Sequence, residues 1–177
     1  MSDLRDKVQE DRGLIKKIEL AIPGFRGYRE REDLRAADNM LRSQLADRLG
    51  EAKDQMERCR KILSKQMDLD LLEDVGGIIN NIQMTESKLR HAEQGYSGIS
   101  ADFRIEGEEL NRLYEWDLGL IDNIDRILKQ VTSLQDIISG KEKKQTLTSL
   151  GDIRSAIDNF NSLFSKRVET IQNAVAV

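Results

Sequence analysis

The residues of this sequence best placed for chemistry are acids at apolar positions of predicted helices. Asp117 stands between Leu113 and Leu120 in a row of leucines and isoleucines. Asp11 and Asp38 occupy comparable positions earlier in the chain. A carboxylate buried in such a row needs a partner, because an unpaired charge away from water is costly. The candidate partners are Arg12, Arg35 and Arg48. The pattern predicts buried ion pairs that fix helix register, with a pair of functional carboxylates as the alternative.

Other signatures of catalysis or metal binding are missing from the sequence. His91, the only histidine, lacks the acidic residue three positions before it that a di-iron helical bundle normally uses. Cys59, the only cysteine, lies on an apolar helical stripe and is interpreted as a small core residue. Phosphate-binding glycine loops, Cys-x-x-Cys pairs and Ser-His-Asp sets are also missing. We therefore expect no enzyme activity, no cofactor and no bound metal.

A basic segment rich in arginine and aromatic residues, FRGYREREDLR, covers residues 25–35. Its candidate partner-binding residues are Phe25, Arg26, Tyr28, Arg29, Arg31 and Arg35. Guanidinium groups beside free amide groups at a helix start suit phosphate, anionic lipid headgroups or a carboxylate-rich helix. Because Glu30, Glu32 and Asp33 are interleaved with the arginines, local helix pairs are the alternative use of this charge.

An aromatic and acidic segment over residues 95–116 is the second candidate surface. Its candidate partner-binding residues are Tyr96, Phe103, Tyr114 and Trp116. Exposed aromatic side chains are common anchors of protein interfaces. Packing of this segment onto the bundle is the alternative. If both segments face the same end of the bundle, the basic one is expected to dock on the acidic one.

The elements that must position these residues follow from hydrophobic spacing. Apolar residues recur every three or four positions through most of the chain, which predicts amphipathic helices over about residues 3–21, 29–67, 70–94, 108–138 and 149–174. Pro23 and Gly24 end the first helix, and Asp68 or Asp70 caps the third. We expect an ordered loop over 95–107 and a polar turn over 139–146. Gly50 allows a bend, and Gly76 with Gly77 marks a close helix crossing or a kink.

Composition supports the same fold class. Hydrophobic residues make up 38% and charged residues 34% of the 177-residue chain, which has one proline and few aromatics, a balance typical of long helices rather than of a sheet. We predict an all-α, elongated, up-and-down bundle of four to five long amphipathic helices. It forms a single domain over residues 1–177, and short connections favour antiparallel neighbours.

Charge and hydropathy bear on location and partners. No apolar run approaches the roughly 20 residues that a membrane span needs, and the amino terminus lacks a signal segment, so we expect a cytoplasmic protein without a transmembrane segment. The net charge of −4 argues against nucleic acid as a partner. The seam of the fourth helix can pair with its copy, so a homo-oligomer stays an open alternative.

Two stretches resemble boxes found in a group of small uncharacterised prokaryotic all-helical proteins. They are IPGFRGYREREDLRAAD at residues 22–38 and GYSGISADFRIEGEELNRLYEWDL at residues 95–118. Such proteins are encoded near band 7 (SPFH-type) membrane scaffold proteins. The resemblance implies an accessory role and a membrane-associated scaffold as a partner. It brings no catalytic residues.

The sequence thus favours a non-enzymatic helical module, an adaptor or scaffold that binds another protein through the basic segment. One alternative is association of the arginines in residues 26–35 with an anionic membrane surface or a nucleic acid, which predicts binding that weakens steeply with salt. A second is an enzyme that uses buried carboxylates such as Asp117, with or without a metal.

Overall fold

The chain is helical throughout its regular structure. The computed structural model describes residues 13–27, 31–92 and 108–175, and the side chains within them except those of residues 31–35 and 174–175. In those ranges α1 is helical over residues 13–21. The longer helices are α2 (Arg31–Gln66), α3 (Leu69–His91), α4 (Glu108–Ser139) and α5 (Lys143–Val175). The described residues contain no strand. The predicted all-α class is confirmed.

Local chemistry sets most of the helix ends. After α1 the amide of Phe25 still donates to the carbonyl of Ile22 at 3.2 Å, and Gly24 then turns the chain with a φ of 88°. At the start of α3 the Asp68 carboxylate accepts a hydrogen bond from the Leu71 amide at 3.3 Å. Both ends lie where proline, glycine and aspartate predicted them.

The predicted start of α5 at 149 is wrong, because the helix begins at Lys143. Its first turn, KKQT, has the polar composition of a turn, but its two lysines and its glutamine are good helix formers. Thr146 is 1% exposed, so this turn is also tied to the core. The actual connection between α4 and α5 covers residues 140–142, with Lys141 at a φ of 60°.

Two antiparallel hairpins, α2–α3 and α4–α5, lie side by side. Their turns meet at one end, where Gln66 donates to the Ile138 carbonyl at 3.1 Å and Lys143 pairs with Asp68 at 3.1 Å. We call this the turn end, defined by residues 65–69 and 138–147. The opposite end, with the start of α2 and α4 and the finish of α3 and α5, is the open end.

The hairpins are packed so that α2 neighbours α4 and α3 neighbours α5. Both neighbouring pairs are parallel, since Arg48 contacts Asp125 and, further along both helices, Gln55 contacts Thr132. Helices α3 and α4 follow each other in the chain but lie diagonally opposite. The topology is up-and-down as predicted, yet antiparallel neighbours occur only within each hairpin.

The apolar stripes of α2 to α5 form one buried cluster, and Ile18 of α1 and Ile22 just after it belong to the same cluster. Arg48 on α2 donates to the Ala21 carbonyl at 2.9 Å, which fixes the end of α1. Gly27 follows with a φ of 84°, and a Cβ there would lie 2.9 Å from the Tyr114 hydroxyl. Only glycine therefore allows the chain to pass this close to α4. None of the described helices has the length and apolar character needed to cross a membrane.

The three glycines inside α2 and α3 do not interrupt these helices. Both helices run through Gly50, Gly76 and Gly77 without a break. A Cβ built on Gly76 or Gly77 meets no described atom within 4 Å. The predicted close crossing at these two glycines is therefore not found among the described residues.

Replacing Gly77 by alanine is expected to raise the free energy of unfolding by about 0.5–1 kcal/mol, because alanine restricts the unfolded chain and favours the helix. Urea unfolding followed by far-ultraviolet circular dichroism measures the change. Gly27→Ala is the matched control and should destabilise the protein, since its φ of 84° and the nearby Tyr114 hydroxyl both oppose a Cβ. A loss of stability in Gly77→Ala would contradict the prediction.

Candidate functional site

Four charged side chains lie inside the bundle near the open end. They are Asp38 and Arg42 from α2, Asp117 from α4 and Arg167 from α5, here called the buried charge cluster. Their exposed fractions are 1%, 4%, 0% and 1% in that order. Two carboxylates and two guanidinium groups balance, so the cluster as a whole is neutral.

Arg167 joins the two carboxylates across the core. Its Nε donates to Oδ1 of Asp117 at 2.6 Å, and its Nη1 donates to Oδ1 of Asp38 at 2.6 Å. The planar guanidinium presents donors in fixed directions, which suits it to bridge two acids on different helices. Through this one side chain α5 is tied to its neighbour α4 and to α2, which lies diagonally opposite.

Arg42 extends the cluster to the remaining helix. Its Nε donates to Oδ2 of Asp38 at 2.8 Å, one helical turn away. Its Nη1 donates to the carbonyl of Leu89 at 2.7 Å, in the last turn of α3. Carbonyls at a helix end lack intrahelical donors and carry partial negative charge, so a guanidinium there is favourable. All four long helices thus meet in this cluster.

The arginines determine the ionisation of Asp38. Burial alone would raise the pKa of this carboxyl, but the positive charges of Arg167 and Arg42 and their hydrogen bonds outweigh that effect. The pKa of Asp38 is therefore held below its usual value. The carboxylate stays ionised at neutral pH, although it is almost completely removed from water.

Of the acids predicted to be buried, Asp38 and Asp117 are confirmed. Of the three partners proposed for Asp117, only Arg48 has a described side chain, and it pairs with Asp125 at 2.9 Å. That prediction is wrong, since the described partner of Asp117 is Arg167. Arg12, Asp11 and the side chain of Arg35 lie outside the described part of the chain.

Sequence reasoning missed Arg42 and Arg167, although a signal was present. Phe160, Phe164, Arg167 and Ile171 follow steps of four, three and four, so position 167 lies on the buried stripe of α5. Arg42 likewise stands four residues after Asp38 and three before Leu45. An arginine at a stripe position near buried acids indicates a partner.

The space beside the buried charge cluster is small. A cavity of about 20 Å³ borders Asp38, Arg42 and Arg167, with Phe164 and Ile171 on its apolar side. Such a volume holds about one water molecule and no organic substrate. Among the described residues, no group of three or more histidine, cysteine or acidic side chains is arranged to hold a metal ion.

The predicted partner-binding residues are divided between the core and the surface. Phe25 and Tyr114 are 3% and 1% exposed, so both side chains pack in the interior, as the alternative to partner binding predicted. Arg26, between Phe25 and Gly27, is exposed. Trp116 is half-buried on the α5 side of α4, where its Nε1 donates to the Thr170 hydroxyl at 3.1 Å. Lys166 lies 5.5 Å from the centre of its ring.

The remaining candidate side chains fall outside the described part of the chain. They are those of Tyr28, Arg29, Arg31, Arg35, Tyr96 and Phe103. Where the two segments are described they meet at the open end, because Gly27 lies against the Tyr114 hydroxyl. The basic segment and the aromatic segment are thus neighbours in the fold.

The other residues with reactive side chains have structural explanations. Cys59 is buried on α2, and burial raises the pKa of its thiol to about 11, so the thiol stays protonated at neutral pH. Its interpretation as a core residue is confirmed. His91 is exposed in the last turn of α3, with its Nδ1 2.8 Å from the Ser87 carbonyl.

These features define an all-α, up-and-down bundle whose interior holds a neutral cluster of four charged side chains. No protein-family model, no curated protein and no solved structure matches the chain.

Proposed function

We propose that this chain is a non-enzymatic helical adaptor or scaffold that binds another protein at the open end of the bundle. The observation that carries the proposal is the placement of Arg26. It is exposed, while Phe25 before it and Gly27 after it are both buried. Arg26 makes no ion pair with the described residues. An exposed guanidinium on an anchored loop loses little conformational freedom when it contacts a partner.

The buried charge cluster supports a binding role over a reaction that depends on carboxylates. Asp117, the acid best placed for such chemistry, is 0% exposed and accepts a hydrogen bond from Arg167. Both cluster carboxylates are bound by guanidinium groups, and the cavity beside Asp38 measures only about 20 Å³. A general base needs access to its substrate, which this geometry does not offer.

The partner is expected to be acidic at its contact surface, because the basic segment continues from Arg26 through Arg29, Arg31 and Arg35. A carboxylate-rich helix on a membrane-associated scaffold fits this chemistry. Trp116 lies at the same end of the bundle but faces α5, where Lys166 lies over its ring. They are candidates for the rim of the contact rather than its centre.

The test compares affinity capture from native lysate for the wild-type chain and two charge-reversed variants. Arg26→Glu alone, and Arg26→Glu combined with Arg29→Glu and Arg31→Glu, should lose the protein that co-purifies in near-stoichiometric amount. Arg126→Glu is the matched control, since Arg126 is an exposed arginine elsewhere, on α4. Identical partner lists for wild type and the triple variant would refute the proposal, provided that circular dichroism shows both folded.

A further inference from the structure

Exposed apolar side chains are concentrated at the turn end. Of the five large hydrophobic residues exposed among those described, Met67 (83%), Leu69 (76%) and Leu147 (46%) lie there. Leu20 and Met84 are the other two. Water-facing apolar groups gathered in one place generally mark a contact surface.

Met67 is also unusual in its backbone. Its φ of 59° places it in the left-handed region directly after α2, where glycine or asparagine is the ordinary residue. A methionine there costs about 1 kcal/mol in conformational strain and exposes its side chain to water as well. Neither cost is offset by packing within the bundle.

Four lysines lie at the same end of the bundle. Lys65, Lys141 and Lys143 line an open cleft of about 390 Å³ between the two turns. Lys144 follows at the start of α5. Lys143 is paired with Asp68 and Asp70, whereas the other three lysines make no ion pair with the described residues. Asp70 and Glu142 are exposed acids at the same end, so the local excess of positive charge is small.

We propose that the turn end docks on the surface of a lipid bilayer that contains anionic lipids. Met67 and Leu69 enter the interface between headgroups and acyl chains, and lysines of the cleft contact the phosphates. A lipid surface fits better than an acidic protein because Met67 and Leu69 are largely exposed at the same end as Lys65 and Lys141, and a bilayer interface accepts apolar groups and cations together. Lysines with long apolar stems can follow them into the interface while the charges stay with the headgroups.

The small local charge makes the attachment reversible. Each basic side chain near an anionic surface contributes about 1 kcal/mol, and this attraction is screened within about 10 Å at moderate salt. Binding is therefore expected to fall as salt is added. The surface is distinct from the proposed protein contact, which lies at the open end.

The test is co-sedimentation of the full chain with vesicles of phosphatidylcholine alone or mixed with phosphatidylserine. The wild type should bind the mixed vesicles at low salt and release on addition of salt. Met67→Asn should weaken binding about tenfold, since it removes an inserted apolar group. Lys141→Asn should weaken binding about fivefold, since it removes one contacting charge. Asparagine tolerates the left-handed conformation of both positions, so the turns are kept.

Matched controls distinguish an effect on this surface from a general effect of removing an apolar or a charged side chain. Met84→Asn removes an apolar side chain that is 60% exposed on α3, and Lys129→Asn removes an exposed lysine on α4. Both controls should bind as the wild type does. Equal binding to both kinds of vesicle, or an equal loss in control and test variants, would overturn the proposal. Retention of the wild type on immobilised polyglutamate but not on vesicles would overturn it in favour of an acidic protein.

Discussion

Replacing Arg167 by methionine is expected to lower the free energy of unfolding by about 3–5 kcal/mol, the usual effect of removing one partner from a buried ion pair. Methionine keeps much of the aliphatic stem but leaves Asp117 and Asp38 without the guanidinium that bridges them. Their exposed fractions are 0% and 1%, and the cavity beside Asp38 holds about one water molecule, so water replaces the lost hydrogen bonds only in small part. A loss of this size is a large part of the 5–15 kcal/mol that typically stabilises a folded domain.

Urea unfolding followed by far-ultraviolet circular dichroism gives the free energy of unfolding for each variant. The matched control is Arg154→Met on the same helix. Arg154 pairs with Asp74 at 3.4 Å, but the side chains of this pair are 48% and 39% exposed. An exposed pair contributes about 0–1 kcal/mol, so the control should change little. Similar losses in both variants would mean that burial does not determine the contribution of Arg167.

The helical fold was predictable because its causes are local or periodic. A stripe of leucine and isoleucine at three- and four-residue steps determines which face is buried, whatever helix lies opposite. The ends at Pro23 and at Asp68 follow from backbone chemistry within a few residues. The start of α5 escaped prediction because KKQT is polar in composition, as a turn is, although its two lysines and its glutamine favour the helix.

The arrangement of the helices was harder to predict, and the error in the site follows from it. Asp38 and Asp117 are identifiable as buried because each stands on an apolar stripe. Which arginine reaches them depends on the parallel packing of α2 with α4 and on the position of α5 across the core. Hydrophobic spacing contains no information about neighbours. The choice between Arg48 and Arg167 therefore required the tertiary structure.

The candidate surfaces illustrate a similar limit. Phe25 and Tyr114 have the residue types of interface anchors, and the same types are used here to pack a loop against α4. Aromatic side chains are favoured both in a packed core and in a protein interface, because a large apolar area with a polar edge stabilises both. Only the burial of the side chain in the structure distinguishes a packing residue from an interface anchor. Met67 and Leu69 show the converse, because their exposure depends on a turn whose geometry the sequence does not specify.

Replacing Asp38 by leucine is expected to lower the free energy of unfolding by about 3–5 kcal/mol, for the opposite reason to Arg167→Met. The leucine leaves Arg42, 4% exposed, with a positive charge and without its carboxylate. Arg167 keeps Asp117, at 2.6 Å. The damage should therefore come mainly from the orphaned guanidinium of Arg42 rather than from the whole cluster.

A second substitution tests that attribution. Adding Arg42→Met to Asp38→Leu removes the orphaned charge and leaves the pair of Arg167 with Asp117, so the double variant should regain at least about 2 kcal/mol of the loss. The regain cannot be complete, because the hydrogen bond from Arg42 to the Leu89 carbonyl at 2.7 Å is lost as well. A double variant at least as unstable as Asp38→Leu alone would contradict the attribution. Two apolar side chains would then have failed to replace a matched pair of charges. The stability of the bundle at this level would therefore depend on how well the apolar side chains fit and not on charge balance.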